Sequence, residues 1–109
     1  MATIYKVLGQ SAPSATTNTD VYTVPADTEA IISTIFICNR GSSVGTYRIA
    51  VRPEGDTIAN EHYIAYDVYV NPNSTDAFTN GVTIAATDVI TVYASNSNFS
   101  FNVFGSEIS

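Results

Sequence analysis

Few side chains in this sequence are of types that make or break bonds. His62 is the only histidine and Cys38 the only cysteine. Together they would form a thiol–imidazole pair, in which the imidazole takes the thiol proton and leaves a nucleophilic thiolate. Cys38, however, lies in "EAIISTIFICN", the most apolar segment of the chain, where a thiol behaves as a small hydrophobe. No G-x-S-x-G, P-loop or G-x-G-x-x-G occurs, so hydrolase and nucleotide chemistry have no signature. One cysteine and one histidine fall short of a zinc ligand set. The residue types predict no catalytic residue, no cofactor and no metal site.

Carboxylates recur in a phrase. "TDVYTV" spans 19–24, "TDVITV" spans 87–92 and a weaker "TDAFT" spans 75–79. A calcium site needs about six to eight clustered oxygens. The three Thr-Asp pairs are far apart in sequence and no D-x-D-x-D-G loop is present. The segments around the copies do not match, which argues against a duplicated domain. The physical expectation is that Asp20, Asp76 and Asp88 stand at strand entries and accept hydrogen bonds from nearby backbone N–H groups.

Tyrosine is the other candidate. Tyr63, Tyr66 and Tyr69 crowd one segment beside His62. On a regular strand Tyr63, Asp67 and Tyr69 share one face and Tyr66 faces away. An exposed row of Tyr63, Asp67 and Tyr69 suits either stacking on sugar rings or burial in a subunit interface, where tyrosine is enriched. These three are the candidate interface or glycan-facing residues, with the 53–60 loop as a second candidate region.

The elements that must position these groups are strands. "TYRIAVR" sets Tyr47, Ile49 and Val51 on one face and Thr46, Arg48 and Arg52 on the other; "NFSFNVF" sets Phe99, Phe101 and Val103 on one face. Both have the period of two of half-buried strands. In 29–39, strict alternation puts Ile31, Ile35 and Ile37 on one side and Ile32, Phe36 and Cys38 on the other. A strand apolar on both faces is expected to be covered on both. Turn-forming clusters fall between the runs, and strands are predicted at 2–8, 20–24, 29–38, 46–52, 61–69, 75–79, 81–85, 88–94 and 98–104. Asn80-Gly81 signals a tight turn, and "VYASNSNFSF" predicts a hairpin joining 88–94 to 98–104. Only 57–62 has room for a helical turn. The fold predicted is all-β: a single antiparallel β-sandwich over residues 1–109, of about eight or nine short strands, jelly-roll or immunoglobulin-like in connectivity.

Composition bounds the partners. The 109 residues are 45% hydrophobic and 13% charged, with a net charge of −6. That is well under the ~25% charge usual for soluble domains, so self-association to cover the bare surface is expected. Lys6, Arg40, Arg48 and Arg52 are the only basic residues, too few to neutralise a run of phosphates. Neither nucleic acid nor an anionic membrane is an expected partner. "MATIYKVLGQ" has no signal-peptide pattern, no apolar run approaches ~18 residues, and one cysteine gives no internal disulfide. Folding in a cytoplasm is expected.

Taken in order, "LGQSAPSATTNTDVYTVPA", "FICNRG", "YRIAVRPEG", "EHYIAYD", "ATDVITVYAS" and "FNVFGSEI" resemble a group of small tailed-bacteriophage virion proteins of cyanophages and other aquatic phages. The resemblance runs over nearly the whole chain. It implies a small all-β part of a phage particle, folded in the host cytoplasm and located in the virion. Its partners would be other virion proteins, the major capsid protein or tail components, and further copies of itself. It carries over no catalytic or ligand residue. The expected role is a capsid decoration or cement subunit. A small tail, baseplate or fibre-associated subunit is the alternative, and a host-receptor or glycan-binding module a further one.

Overall fold

The computed structural model describes residues 2–109, and nine strands account for most of them: β1 (Thr3–Ser11), β2 (Thr19–Thr23), β3 (Glu29–Asn39), β4 (Gly45–Arg52), β5 (Tyr63–Val70), β6 (Ser74–Phe78), β7 (Val82–Ile84), β8 (Val89–Ala94) and β9 (Phe99–Ile108). Two single 3₁₀ turns, Pro53–Gly55 and Asn60–His62, fall in the connection from β4 to β5. The first sheet has the order β1-β9-β3-β6, with β7 also paired to β3; the second has the order β2-β8-β4-β5. Every pairing is antiparallel. The all-β sandwich read from the sequence is the fold observed.

The pairings are nested. β4 pairs with β5, β3 with β6 and β7, β2 with β8, and β1 with β9. The chain is thus one long antiparallel hairpin, with its bend between β4 and β5, rolled up so that successive layers alternate between sheets. This is jelly-roll connectivity, with β6 and β7 sharing one strand position, and it resolves the choice against the immunoglobulin-like order. The ends meet: the Ala2 and Ser109 amides each donate to the other's carbonyl, at 2.7 and 2.9 Å.

Two local expectations fail. The predicted hairpin of 88–94 with 98–104 does not form, because β8 lies in the second sheet and β9 in the first. The Asn80-Gly81 turn, with Gly81 at φ +72°, likewise does not join paired strands; β6 and β7 bind successive stretches of β3. The 95–98 turn sends the chain across the sandwich, whereas 79–81 does not reverse it: β6 and β7 run in the same direction, both antiparallel to β3. Whether the second strand lies beside the first or across the sandwich is decided by which inner face must be covered.

The core lies between the sheets. Phe99, Phe101, Val103, Ile32, Ile35 and Ile37 come from the first sheet and Tyr22, Tyr47, Ile49, Ile90 and Val92 from the second, with Val24 just past β2, all buried. Two tyrosines bolt the layers together at their phenols. Tyr22 donates to Glu107 and Tyr47 donates to Asp76, each at 2.6 Å. Burial, reinforced by the neighbouring carboxylate, pushes both phenols far above their ordinary pKa.

β-Bulges decide which residues face out. In β3 the register slips between Ile32 and Thr34. Ile32 therefore joins Ile35 and Ile37 inside, while Ile31 joins Phe36 and Cys38 outside. The strict alternation expected for 29–39 is corrected at this one extra residue, since a bulge reverses parity beyond it. Further slips occur in β1 between Val7 and Gly9, in β2 between Asp20 and Tyr22, and between β4 and β5 on both sides of Ile49.

Candidate functional site

The slips beside Ile49 shape the outer face of the second sheet. Tyr47 pairs with Val68 but Ile49 pairs with Ala65, so β5 carries an extra residue. Asp67, within that bulge, has φ +51°, a left-handed conformation that aspartate tolerates better than most residues. Ala65 and Val68 point to the core, and Tyr63, Tyr66, Asp67 and Tyr69 are all left on the outer side. The expectation that Tyr66 faces away from Tyr63 is corrected: their rings meet edge to face with centroids 4.9 Å apart.

Arg48 organises this face. Its guanidinium lies 4.2 Å from the centroids of both the Tyr66 and the Tyr93 rings. Its Nε donates to Asp67 Oδ1 at 2.6 Å and its Nη2 to Oδ2 at 3.3 Å. The Asp67 hydrogen bonds raise the Arg48 pKa further, against a small opposing effect of burial. Each tyrosine face over the cation gains from cation–π attraction, and the planar fork matches the carboxylate. The result is a stiff stack, Tyr93–Arg48–Tyr66, with Tyr63 standing perpendicular to Tyr66 and a cavity of about 380 Å³ at Asn60, Tyr63 and Tyr66. Tyr69 is 76% exposed, and its hydroxyl has no hydrogen-bond partner among the described residues.

Of the three candidates, Asp67 is thus engaged by Arg48, Tyr63 packs on Tyr66, and Tyr69 stands free. Arg48 and Tyr93 were not singled out from the sequence. Arg48 has the outward parity of Arg52 in "TYRIAVR", which was legible; its place opposite Tyr93 depends on the pairing of β4 with β8, which was not.

The 53–60 loop is held by Arg52. Its Nη1 donates to the Gly55 and Asp56 carbonyls, its Nη2 to Asp20 Oδ1 at 2.9 Å and its Nε to Thr91 Oγ1 at 3.0 Å. Thr91 Oγ1 in turn donates to Asp20. Asp20 therefore serves a side-chain network on the outer face and does not close its preceding turn. Asp88 does what the sequence predicts, with its carboxylate accepting from the Glu54 and Ala85 amides at 2.9 and 2.8 Å. Asp76 combines both roles, accepting from the Ala77 amide and the Tyr47 phenol.

Cys38 and His62 are on different layers. Cys38 points outward from β3 in the first sheet, partly buried. His62 is buried beside the second sheet, where its Nδ1 accepts from the Ala59 amide at 3.0 Å. Among the described residues no group of three or more His, Cys, Asp or Glu is arranged to hold a metal ion, and no helix is long and apolar enough to cross a membrane. No family model, no curated protein and no solved structure matches this chain.

Proposed function

We propose that the chain is a structural subunit of a bacteriophage particle, present in many copies and docked on the capsid surface as a decoration or cement protein. The observation that carries this reading is the exposure of aromatic and apolar side chains on both broad faces of the sandwich. Tyr5, Ile31 and Phe36 stand exposed on one sheet and Tyr66 and Tyr69 on the other, in a chain only 13% charged. A free monomer is kept soluble by mixed charges on its faces. A subunit in a symmetric array covers such faces against neighbours, and many weak contacts sum by multivalency. The resemblance to small tailed-phage virion proteins points the same way. Mass spectrometry of purified particles tests the proposal: the chain is expected in multiple copies, and its absence from mature particles overturns it. A particle reconstruction that places it on the tail or baseplate selects the alternative site of attachment.

One observation favours a second reading, a host-receptor or glycan-binding module. Tyr69 presents a free ring on the same outer face as the cavity at Tyr63 and Asn60, and aromatic rings next to polar groups suit sugar rings. On a glycan array this reading expects binding that Tyr63→Ala and Tyr69→Ala both abolish. Binding indifferent to both substitutions counts against it.

A further inference from the structure

The outer face of the first sheet is a separate surface, on the opposite side of the molecule from the Arg48 stack. Register and parity set Tyr5 and Val7 of β1, Phe104 and Ser106 of β9, and Ile31 and Phe36 of β3 on it. Phe36 and Phe104 pack edge to face at 5.7 Å. Between Glu29 at one end of β3 and Arg40 just past the other, no outward position of β1, β9, β3, β6 or β7 is Asp, Glu, Lys or Arg. Lys6, which edges the groove, is paired with Glu107, and Glu107 meets the Tyr22 phenol on the inner side.

The face carries both a projection and a recess. Tyr5 is 84% exposed. Beside it runs an open groove of about 790 Å³ flanked by Val7, Ile31 and Phe104. Its floor is low because Gly105, Ser33 and Ser106 are small.

We infer that this face is a homodimer interface, in which two copies pack first sheet to first sheet about a two-fold axis and each Tyr5 enters the other's groove. Three observations select a second copy as the occupant. A partner of opposite charge would be met by unpaired charges at the groove; the one cation lining it, Lys6, is already paired with Glu107 at 3.1 Å. Two chains of net charge −6 repel wherever charged surfaces meet, so they approach with least electrostatic cost through an uncharged face. A projection and a complementary recess on one patch are what an isologous interface requires. The area also suffices. The sandwich measures 45 × 27 Å across its broad side, and covering half of that buries on the order of 600 Å² per copy, about 1,200 Å² in all, the lower bound of standard interfaces. The inference does not depend on a role in a virion.

Sedimentation equilibrium and light scattering on the purified chain test it. The wild type is expected as a dimer of twice 11.6 kDa. Tyr5→Lys places a charge at the projection and is expected to weaken association about 30-fold or more, the scale of a central interface residue. Ile31→Lys is expected to act likewise, and Tyr69→Lys, on the opposite face, to leave the dimer intact. Tyr5 is so exposed that its variant tests the interface without threatening the fold, and circular dichroism confirms this for each protein. A wild type monomeric up to millimolar concentration overturns the inference, leaving the face to a different partner. A trimer or larger ring overturns it, as does a dimer that Tyr5→Lys leaves unchanged or that Tyr69→Lys disrupts.

Discussion

Asn39 is fully buried, and its amide ties together the loop that follows it. Its Nδ2 donates to the Ser43 and Val70 carbonyls, at 2.9 and 3.1 Å, and its Oδ1 accepts from the Gly41 amide at 3.0 Å. Asn39→Ala would strand these groups away from water, so a loss of about 2–3 kcal/mol is expected in urea unfolding. Glu107 yields a prediction about acid. The Tyr22 hydrogen bond, aided by Lys6 and opposed by partial burial, lowers its pKa below the ordinary carboxylate range. A group with a depressed folded pKa stabilises the fold above its unfolded value, and that stability is lost as pH falls through the folded value. The stability gap between wild type and Glu107→Gln is therefore expected at neutral pH and should narrow as acid protonates Glu107. A gap that stays constant into strong acid contradicts this. At this scale sequence reading singled out Tyr63, Asp67 and Tyr69 by residue type and position, and it anticipated the turn-closing Asp88. It could not see that Asp20 answers Arg52, since that contact joins residues 32 apart in the chain.

Strand positions were legible because alternation, β-branching and turn residues are local. Nine strands were expected and nine are present, with β1 and β9 each extending past the predicted ends. Bulges were not legible. Nothing in "EAIISTIFICN" marks Ser33 as the extra residue, and nothing in "YIAYDVYV" marks Asp67. Each bulge is imposed by the neighbouring strand's register and reverses every side chain beyond it. Ile31 and Tyr66 changed sides for this reason. The backbone also approaches itself closely at these slips, beside Gly105 against Ile31 and Gly9 against Val21. Gly105→Ala must displace a carbonyl in the middle of the sheet, and an unfolding cost of about 2 kcal/mol or more is expected. Gly81→Ala, where a Cβ meets nothing within 4 Å, should cost about 1 kcal/mol from its positive φ alone. Equal effects at the two glycines would show that the close approach at Gly105 is not what its small size serves.

Over the whole molecule, the nesting makes the outermost pair the most distant in sequence. Pairing β1 with β9 closes the longest loop in the chain, and that entropy must be met before their contacts form. Folding on the ms–s scale of non-local β proteins is expected by stopped-flow fluorescence of the tyrosines. The meeting of Ala2 and Ser109 permits a sharper test. A circular permutant that links 109 to 2 through a short loop and opens at Asn80-Gly81 turns β9–β1 into a local hairpin. It should keep the wild-type circular dichroism spectrum and fold faster. A permutant that folds no faster would show that the outer pair does not limit the rate.

The sequence by itself determined an all-β fold, the location of its strands, the scarcity of charge and the tyrosine-rich segment at 63–69. Those properties reside in residue type and short-range periodicity. The jelly-roll order, the sheet to which each strand belongs, the outward turn of Tyr66 and Ile31, and the capture of Arg48 between Tyr66 and Tyr93 were decided only in three dimensions. The physical reason is the same in each case. A strand's alternation says that one side must be buried, while its partner's register and the sheet it covers decide which side that is.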